Sequence, residues 1–218
     1  MATAMATAPA PAAAPELPLF PLRTVLFPGG VLALRIFEAR YLDLMTACLR
    51  EGSRFGVVSL LRGGEVQQAD KPAGMAPVQF APVGVEAELI DADGVEPGIL
   101  LVRCHGLSRF DVVSSRQQAD GLWLAQTASL PDDEPLTTGP EFEATARALA
   151  GAIESIRAQD AAAFAEPLRF DDAGWVANRW CEILPLPLNV RHRLMALPDA
   201  RLRLRLVDEI LRGQVEGS

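Results

Sequence analysis

The chain has 218 residues, half of them hydrophobic and 22% charged, and a net charge of −8 at pH 7. That length can bury a sizeable core in one large domain or two small ones, and the acidic balance leaves no general field to attract a phosphate backbone. Lys71 is the only lysine, so every other basic residue is an arginine. The three cysteines, Cys48, Cys104 and Cys181, are far apart, odd in number and without a CxxC pair, which gives no basis for a zinc knuckle or a disulfide framework. No apolar run approaches the ~20 residues needed to span a bilayer.

Residues 1–15 are rich in Ala, Pro and Thr and lack the basic start and apolar stretch of a secretory signal. They are expected to be a disordered tail on a cytoplasmic protein. The prolines of Leu17–Phe27 (LPLFPLRTVLF) exclude helix, and the segment is expected to be extended at a sheet edge whose ladder they leave incomplete. Pro28-Gly29-Gly30 reads as a turn. Val31–Ile36 reads as a strand with Leu32, Leu34 and Ile36 on one face. Phe37, Tyr41, Leu44, Met45, Cys48 and Leu49 recur at helical spacing, with Gly52 as the stop.

Arg54–Leu61 reads as a buried strand and Arg62–Met75 as a mobile polar loop or hairpin. Pro82–Ala92, Gly98–His105, Leu107–Ser115 and Leu122–Leu130 read as further strands, broken by turns at DADG, HG and QADG. Short strands at this spacing point to a mostly antiparallel, closed or nearly closed sheet. The period changes after Pro131. A helix is expected to start near Pro140, a second to be capped by Asp172 and stopped at Leu184-Pro185, a third to be capped by Asn189, and a last one by Asp199. The expected layout is α+β: residues 16–132 form the β-rich part and residues 133–218 the helical part.

Four stretches resemble the amino-terminal substrate-binding domain of Lon-type proteases, in that family's order: LPLFPLRTVLFPGGVLALRIFEARYLDLM, VGVEAELI, VRCHGLSRF and LPLPLNVRHRLMALPDARLRLRLV. The likeness runs from about Leu17 to Leu211. It implies a PUA-like pseudo-barrel followed by a helical bundle, and a role in recognising proteins rather than cleaving bonds. Within this pattern Pro28, Gly29, Gly84, Gly106, Arg109 and Phe110 are expected to be structural. The chain contains no GxxxxGK[ST] phosphate loop, and Lys71, in a polar loop beside Pro72, is a poor partner for a Ser–Lys dyad, which needs a desolvated lysine. No cofactor is expected.

No residue set stands out as chemistry. Cys104 and His105 are neighbours on a strand and point to opposite faces; His192 is expected on a solvated helix face. Asp91/Asp93, Asp132/Asp133 and Asp171/Asp172 are expected to cap turns and helix starts, with no metal site. The RLRLRL run is expected to spread its arginines around a helix. Phe37, Tyr41, Phe80 and Trp123 are the candidate lining of a peptide groove between the β part and the helices. The expected function is non-catalytic capture of unfolded or apolar protein segments, alone or with a Lon-type protease or other protein partner. An RNA- or nucleotide-binding PUA-like module is the alternative, disfavoured by the acidic charge, and no membrane contact is expected.

Overall fold

The computed structural model describes residues 16–62 and 78–216. The expected tail, and the expected loop beyond Arg62, fall outside those residues. Strand β1 (Leu17–Leu22) pairs antiparallel with β6 (Trp123–Ser129) through Leu17–Leu19 and parallel with β3 (Phe55–Arg62) through Leu19–Leu22. The strand changes partner at Leu19, so Pro18 and Pro21 each sit where only one neighbour runs alongside, and their missing N–H groups do not break a two-sided ladder. The segment is therefore not the edge strand expected at Leu17–Phe27: β1 lies between β3 and β6 in the sheet order, each pairing with one half of it, and the chain leaves the sheet after Leu22.

Pairing continues from β3 to β4 (Gln79–Glu96), from β4 to β5 (Ile99–Gln117), and from β5 back to β6, closing a ring of five strands. Residues from all five converge on Phe110: Leu19, Val58 and Ala125 are buried with it, and Phe80 packs against the group. Gly56 and Gly84 make room for that ring; a Cβ on Gly84 would lie 2.5 Å from Phe110 Cζ. The opposite face of the strands, with Phe20, Phe55, Val57 and Val85, joins the larger core shared with the helices.

β4 and β5 outrun the barrel. β3 stops pairing with β4 at Ala87. Beyond it the β4–β5 hairpin carries β2 (Val31–Ile36) on its other side, making a three-stranded arm in the order β2-β5-β4. Two expected turns are therefore absent. DADG lies within β4, and the reversal comes at Pro97-Gly98, where Gly98 supplies φ 80°. His105-Gly106 lies within β5; Gly106 serves close approach, because a Cβ there would collide with the Phe27 carbonyl oxygen. The QADG turn is present, with Gly121 at φ 89°.

Helix α1 (Ala39–Glu51) buries Tyr41, Leu44, Met45 and Cys48, and Gly52 closes it at φ 63° with its N–H on the Cys48 carbonyl. Phe37 and Leu49, expected on the buried face, are 53% and 59% exposed. Phe37 precedes the helix, so helical spacing does not govern it. A single 3-10 turn at Pro140–Phe142 leads into α2 (Glu143–Arg157). Asp172 caps α3 (Ala173–Ile183) by accepting from Trp175 N at 3.1 Å. α4 spans Leu188–Ala196 with Pro187, not Asn189, at its cap. Asp199 accepts from Leu202 N at the start of α5 (Ala200–Glu216). α3 packs on α4 and α5, and Trp175, Trp180, Leu149 and Leu204 belong to the same buried cluster as Phe55 and Val102 of the sheet.

Candidate functional site

A strand end that outruns its neighbours exposes backbone donors and acceptors, and the arm has two such edges. Along β4, residues 88–96 carry Asp91, Asp93 and Glu96 and two register irregularities, at Leu89/Asp91 and Gly94/Glu96. Charge and bulges of this kind oppose further strand pairing. Along β2 there is no proline or bulge and one charge, Arg35. Among the described strands β2 pairs with β5 alone. It is the less guarded edge.

Two hollows flank β2 and share Ala33, Leu34 and Arg35. One, about 240 Å³, runs along Ala33–Glu38 and is walled by Phe20, Leu22 and Tyr41. In its wall the Phe20 and Tyr41 rings stack at 3.9 Å between centroids, and Arg40 lies over Tyr41 while pairing with Glu38. The other, about 710 Å³, opens over the outer face of the arm, where Ile90 and Leu101 are exposed. Register fixes the rows on this face. Asp93, Leu101 and Arg35 lie side by side across the three strands, and Asp91, Arg103 and Ala33 form the next row. Arg103 is engaged bidentately by Asp160, at 3.1 and 3.2 Å. Arg35 makes no ion pair among the described residues.

The four candidate aromatics are not brought together. Phe37 and Tyr41 line the smaller hollow. Phe80 and Trp123 pair edge to face at 5.4 Å at the barrel cluster and do not join them. A cleft of about 460 Å³ does lie between barrel and helices, but Asp132, Glu166, Arg169 and Asp172 help line it. Charged walls make it a poor seat for an apolar segment.

The remaining candidates make contacts within the fold. In the Pro28-Gly29-Gly30 turn, Gly29 takes φ 74° and its N–H donates to Gly106 O at 2.8 Å, while Gly106 N–H returns to Gly30 O at 2.9 Å. Arg179 of α3 donates to the carbonyls of Pro28 and Gly29 and to Glu182. Arg109 of β5 donates to Leu197 O, Pro131 O and Asp133 Oδ1, each at 2.9 Å. Arg203 of α5 donates to Asp133 Oδ2 at 2.6 Å and Asn178 Oδ1 at 2.9 Å. Burial pulls the Arg109 guanidinium below its usual value and Asp133 draws it back up.

Asp133 is expected to cap a turn with Asp132; it instead joins two buried arginines, Arg109 and Arg203. The RLRLRL run distributes its arginines around α5: Arg201 and Arg205 are exposed, whereas Arg203 is 1% exposed. Asp91 and Asp93 lie on a strand, not in a turn. His105 contacts Glu88 at 3.3 Å, and the His192 ring nitrogen lies 3.0 Å from Val83 O, so its helix face is not simply solvated.

The cysteines are not placed for nucleophilic chemistry. All three cysteines are buried, and burial pushes Cys104 and Cys181 up to about 12, far from the thiolate that attack requires. Among the described residues no group of three or more His, Cys, Asp or Glu is placed to hold a metal ion. No described helix is long and apolar enough to cross a membrane.

A small closed barrel braced by helices, with a free strand edge beside an apolar hollow, is an α+β binding module of the PUA-like type. Residues 16–213 match the family described as the ATP-dependent protease La (LON) substrate-binding domain, and the chain belongs to that family. It is 27% identical over 205 residues to Lon protease 2 of Myxococcus xanthus and 25% identical over 205 residues to Lon protease of Anaeromyxobacter dehalogenans (strain 2CP-C), matching 92% of this chain in each case. It spans about a quarter of the length of those relatives, 24% and 23%. Among solved structures, the Lon N-terminal domain protein from Xanthomonas campestris superposes with a TM-score of 0.69 at 32% identity, covering 89% of this chain and 97% of that one. The N-terminal domain of Mycobacterium avium complex Lon protease shares the fold, with a TM-score of 0.58 at 13% identity over 89% of this chain and 97% of that one.

Proposed function

We infer that this chain captures unfolded, apolar-rich polypeptide segments by adding them as a strand to β2. The observation that carries the reading is the unpartnered edge Val31–Ile36 lying directly beside the apolar hollow of Phe20, Leu22 and Tyr41. Main-chain hydrogen bonds to such an edge are indifferent to sequence, and alternate side chains entering a pocket add a preference for apolar residues. Phe37, exposed at the end of β2, extends the apolar seat. Residues 16–132 and 133–218 act as one unit in this role, because the helices brace the turn that launches β2. The chain cleaves nothing and needs neither ATP nor a cofactor. It works in the cytoplasm on protein clients, alone or alongside a Lon-type protease. For a seat this small the Kd is on the order of micromolar or weaker.

A heteronuclear NMR titration of the full chain with an unfolded, apolar-rich peptide tests this. Shift changes are expected at Val31–Phe37 and at Phe20, Leu22 and Tyr41. Changes confined to α2–α5, or none at millimolar peptide, refute it. Four arginines, Arg103, Arg109, Arg179 and Arg203, are held by internal carboxylates and carbonyls, which counts against nucleic acid as the competing reading.

A further inference from the structure

Strand addition at β2 leaves one charge in the seat unanswered. Ile36 is buried and Leu34 half-buried beneath the edge, whereas Ala33 and Arg35 are exposed on the outer face. Arg35 belongs to both hollows and has no ion pair among the described residues. The nearest acid in its row is Asp93, on the far side of Leu101 and two strands away, roughly 10 Å at ordinary strand spacing. The other cation of this face, Arg103, already has Asp160.

An incoming strand would lie next to Arg35 on its free side, at the directly opposite position where cross-strand side chains meet. Side chains alternate along a strand, so the residue opposite Arg35 points outward while those on either side point inward to Tyr41, Phe20 and Leu22. We propose that Arg35 makes the β2 edge selective for segments of the pattern apolar–acidic–apolar, with the acidic side chain paired to Arg35 and its two neighbours in the hollow. This rests on the strand-addition reading above and adds a substrate class to it. A basic residue at the same position meets like charge and binds less well. The other described edge of the arm, β4, carries Asp91, Asp93 and Glu96 and so the opposite sign.

The test uses the full chain and three end-capped peptides identical except at one central position flanked by leucines, which carries Glu, Gln or Lys. Affinities are read by NMR titration at low and moderate salt. The Glu peptide is expected to bind on the order of five-fold tighter than the Lys peptide at low salt, with the gap narrowing as salt screens it. In Arg35→Glu the order reverses, and in Arg35→Gln the gap closes; both substitutions are at an exposed position. Equal affinities for all three peptides in the unmodified chain overturn the selectivity and leave strand addition standing. Tightest binding by the Lys peptide also overturns it and moves the seat to the β4 acids. No binding by any peptide at millimolar concentration overturns strand addition itself.

Discussion

Replacing Asp133 by Asn removes one negative charge from a place where two guanidinium groups depend on it. Arg109 and Arg203 are 4% and 1% exposed, and Asp133 accepts from the first at 2.9 Å and from the second at 2.6 and 3.1 Å. The carbonyls of Pro131, Leu194 and Leu197 and the Asn178 amide oxygen complete the shell without neutralising it. Breaking a buried ion pair by removing one partner costs about 3–5 kcal/mol, because the remaining charge is left uncompensated. Here two charges share the loss, so the upper part of that range is expected. Against a total stability of about 5–15 kcal/mol, and with a Tm shift of about 2–4 °C per kcal/mol for a chain of this size, Asp133→Asn should lower Tm by about 8–20 °C. The assay is thermal and urea unfolding followed by circular dichroism. Adding Arg203→Met to the Asn variant should recover part of the loss, since it withdraws one stranded cation. A loss below about 1 kcal/mol for Asp133→Asn, or simple additivity in the double variant, refutes the account.

Glu182 is pushed up to about 7 by burial, against Arg179 and Arg191 pulling it down. A folded value above the unfolded one means that its contribution is full below about pH 4.5 and lost as pH rises through 7, so it lowers stability across that window. Glu182→Gln should remove about 1–3 kcal/mol of that pH dependence, read as urea midpoints at pH 5 and pH 8; identical slopes in both proteins would exclude this. Gly106→Ala should cost about 1–3 kcal/mol by forcing a methyl group against the Phe27 carbonyl, whereas Gly151→Ala in α2, with open space around it, should gain about 0.5–1 kcal/mol. Residues 16–132 expressed alone should melt with low cooperativity and bind an apolar dye, because Phe55, Val85 and Val102 share their core with the helices; a sharp melt without dye binding would show an independent barrel. The purified full chain should neither cleave casein nor hydrolyse ATP; turnover abolished by a point substitution in this chain would contradict that.

Elements were legible wherever local rules act alone. The Gly52 stop, the Asp172 and Asp199 caps and the Val31–Ile36 strand follow from φ preference, capping and period-2 alternation. What was not legible depends on partners distant in sequence. Prolines at 18 and 21 read as an edge, because nothing local reveals that β6 and β3 divide the strand between them. His105-Gly106 read as a turn, because a glycine kept small for a carbonyl 79 positions away looks like one kept for its φ freedom. Asp133 read as a turn cap and Arg203 as one of a run spread around a helix, and no local signal marks the two as a buried pair. The candidate lining divides the same way. Phe37 and Tyr41 line the hollow beside β2 while Phe80 and Trp123 lie elsewhere, and the row in which Arg35 stands is visible only once register has placed its neighbours.

The ring closes between residues encoded far apart. β1 needs β6, whose first residue follows Leu22 by about a hundred positions, and the turn at Pro28–Gly29 needs Arg179, 150 residues downstream. At a synthesis rate of about 5–20 residues per second, β1 would wait on the order of 5–20 s beside the ribosome before β6 existed, and longer before α3 could brace the turn. Contacts of such long sequence separation also slow the search for the native pairing after release. During that interval Phe20, Leu22 and β2 would be without the neighbours they have in the folded chain. The order of its translation thus sets how long that vulnerability lasts.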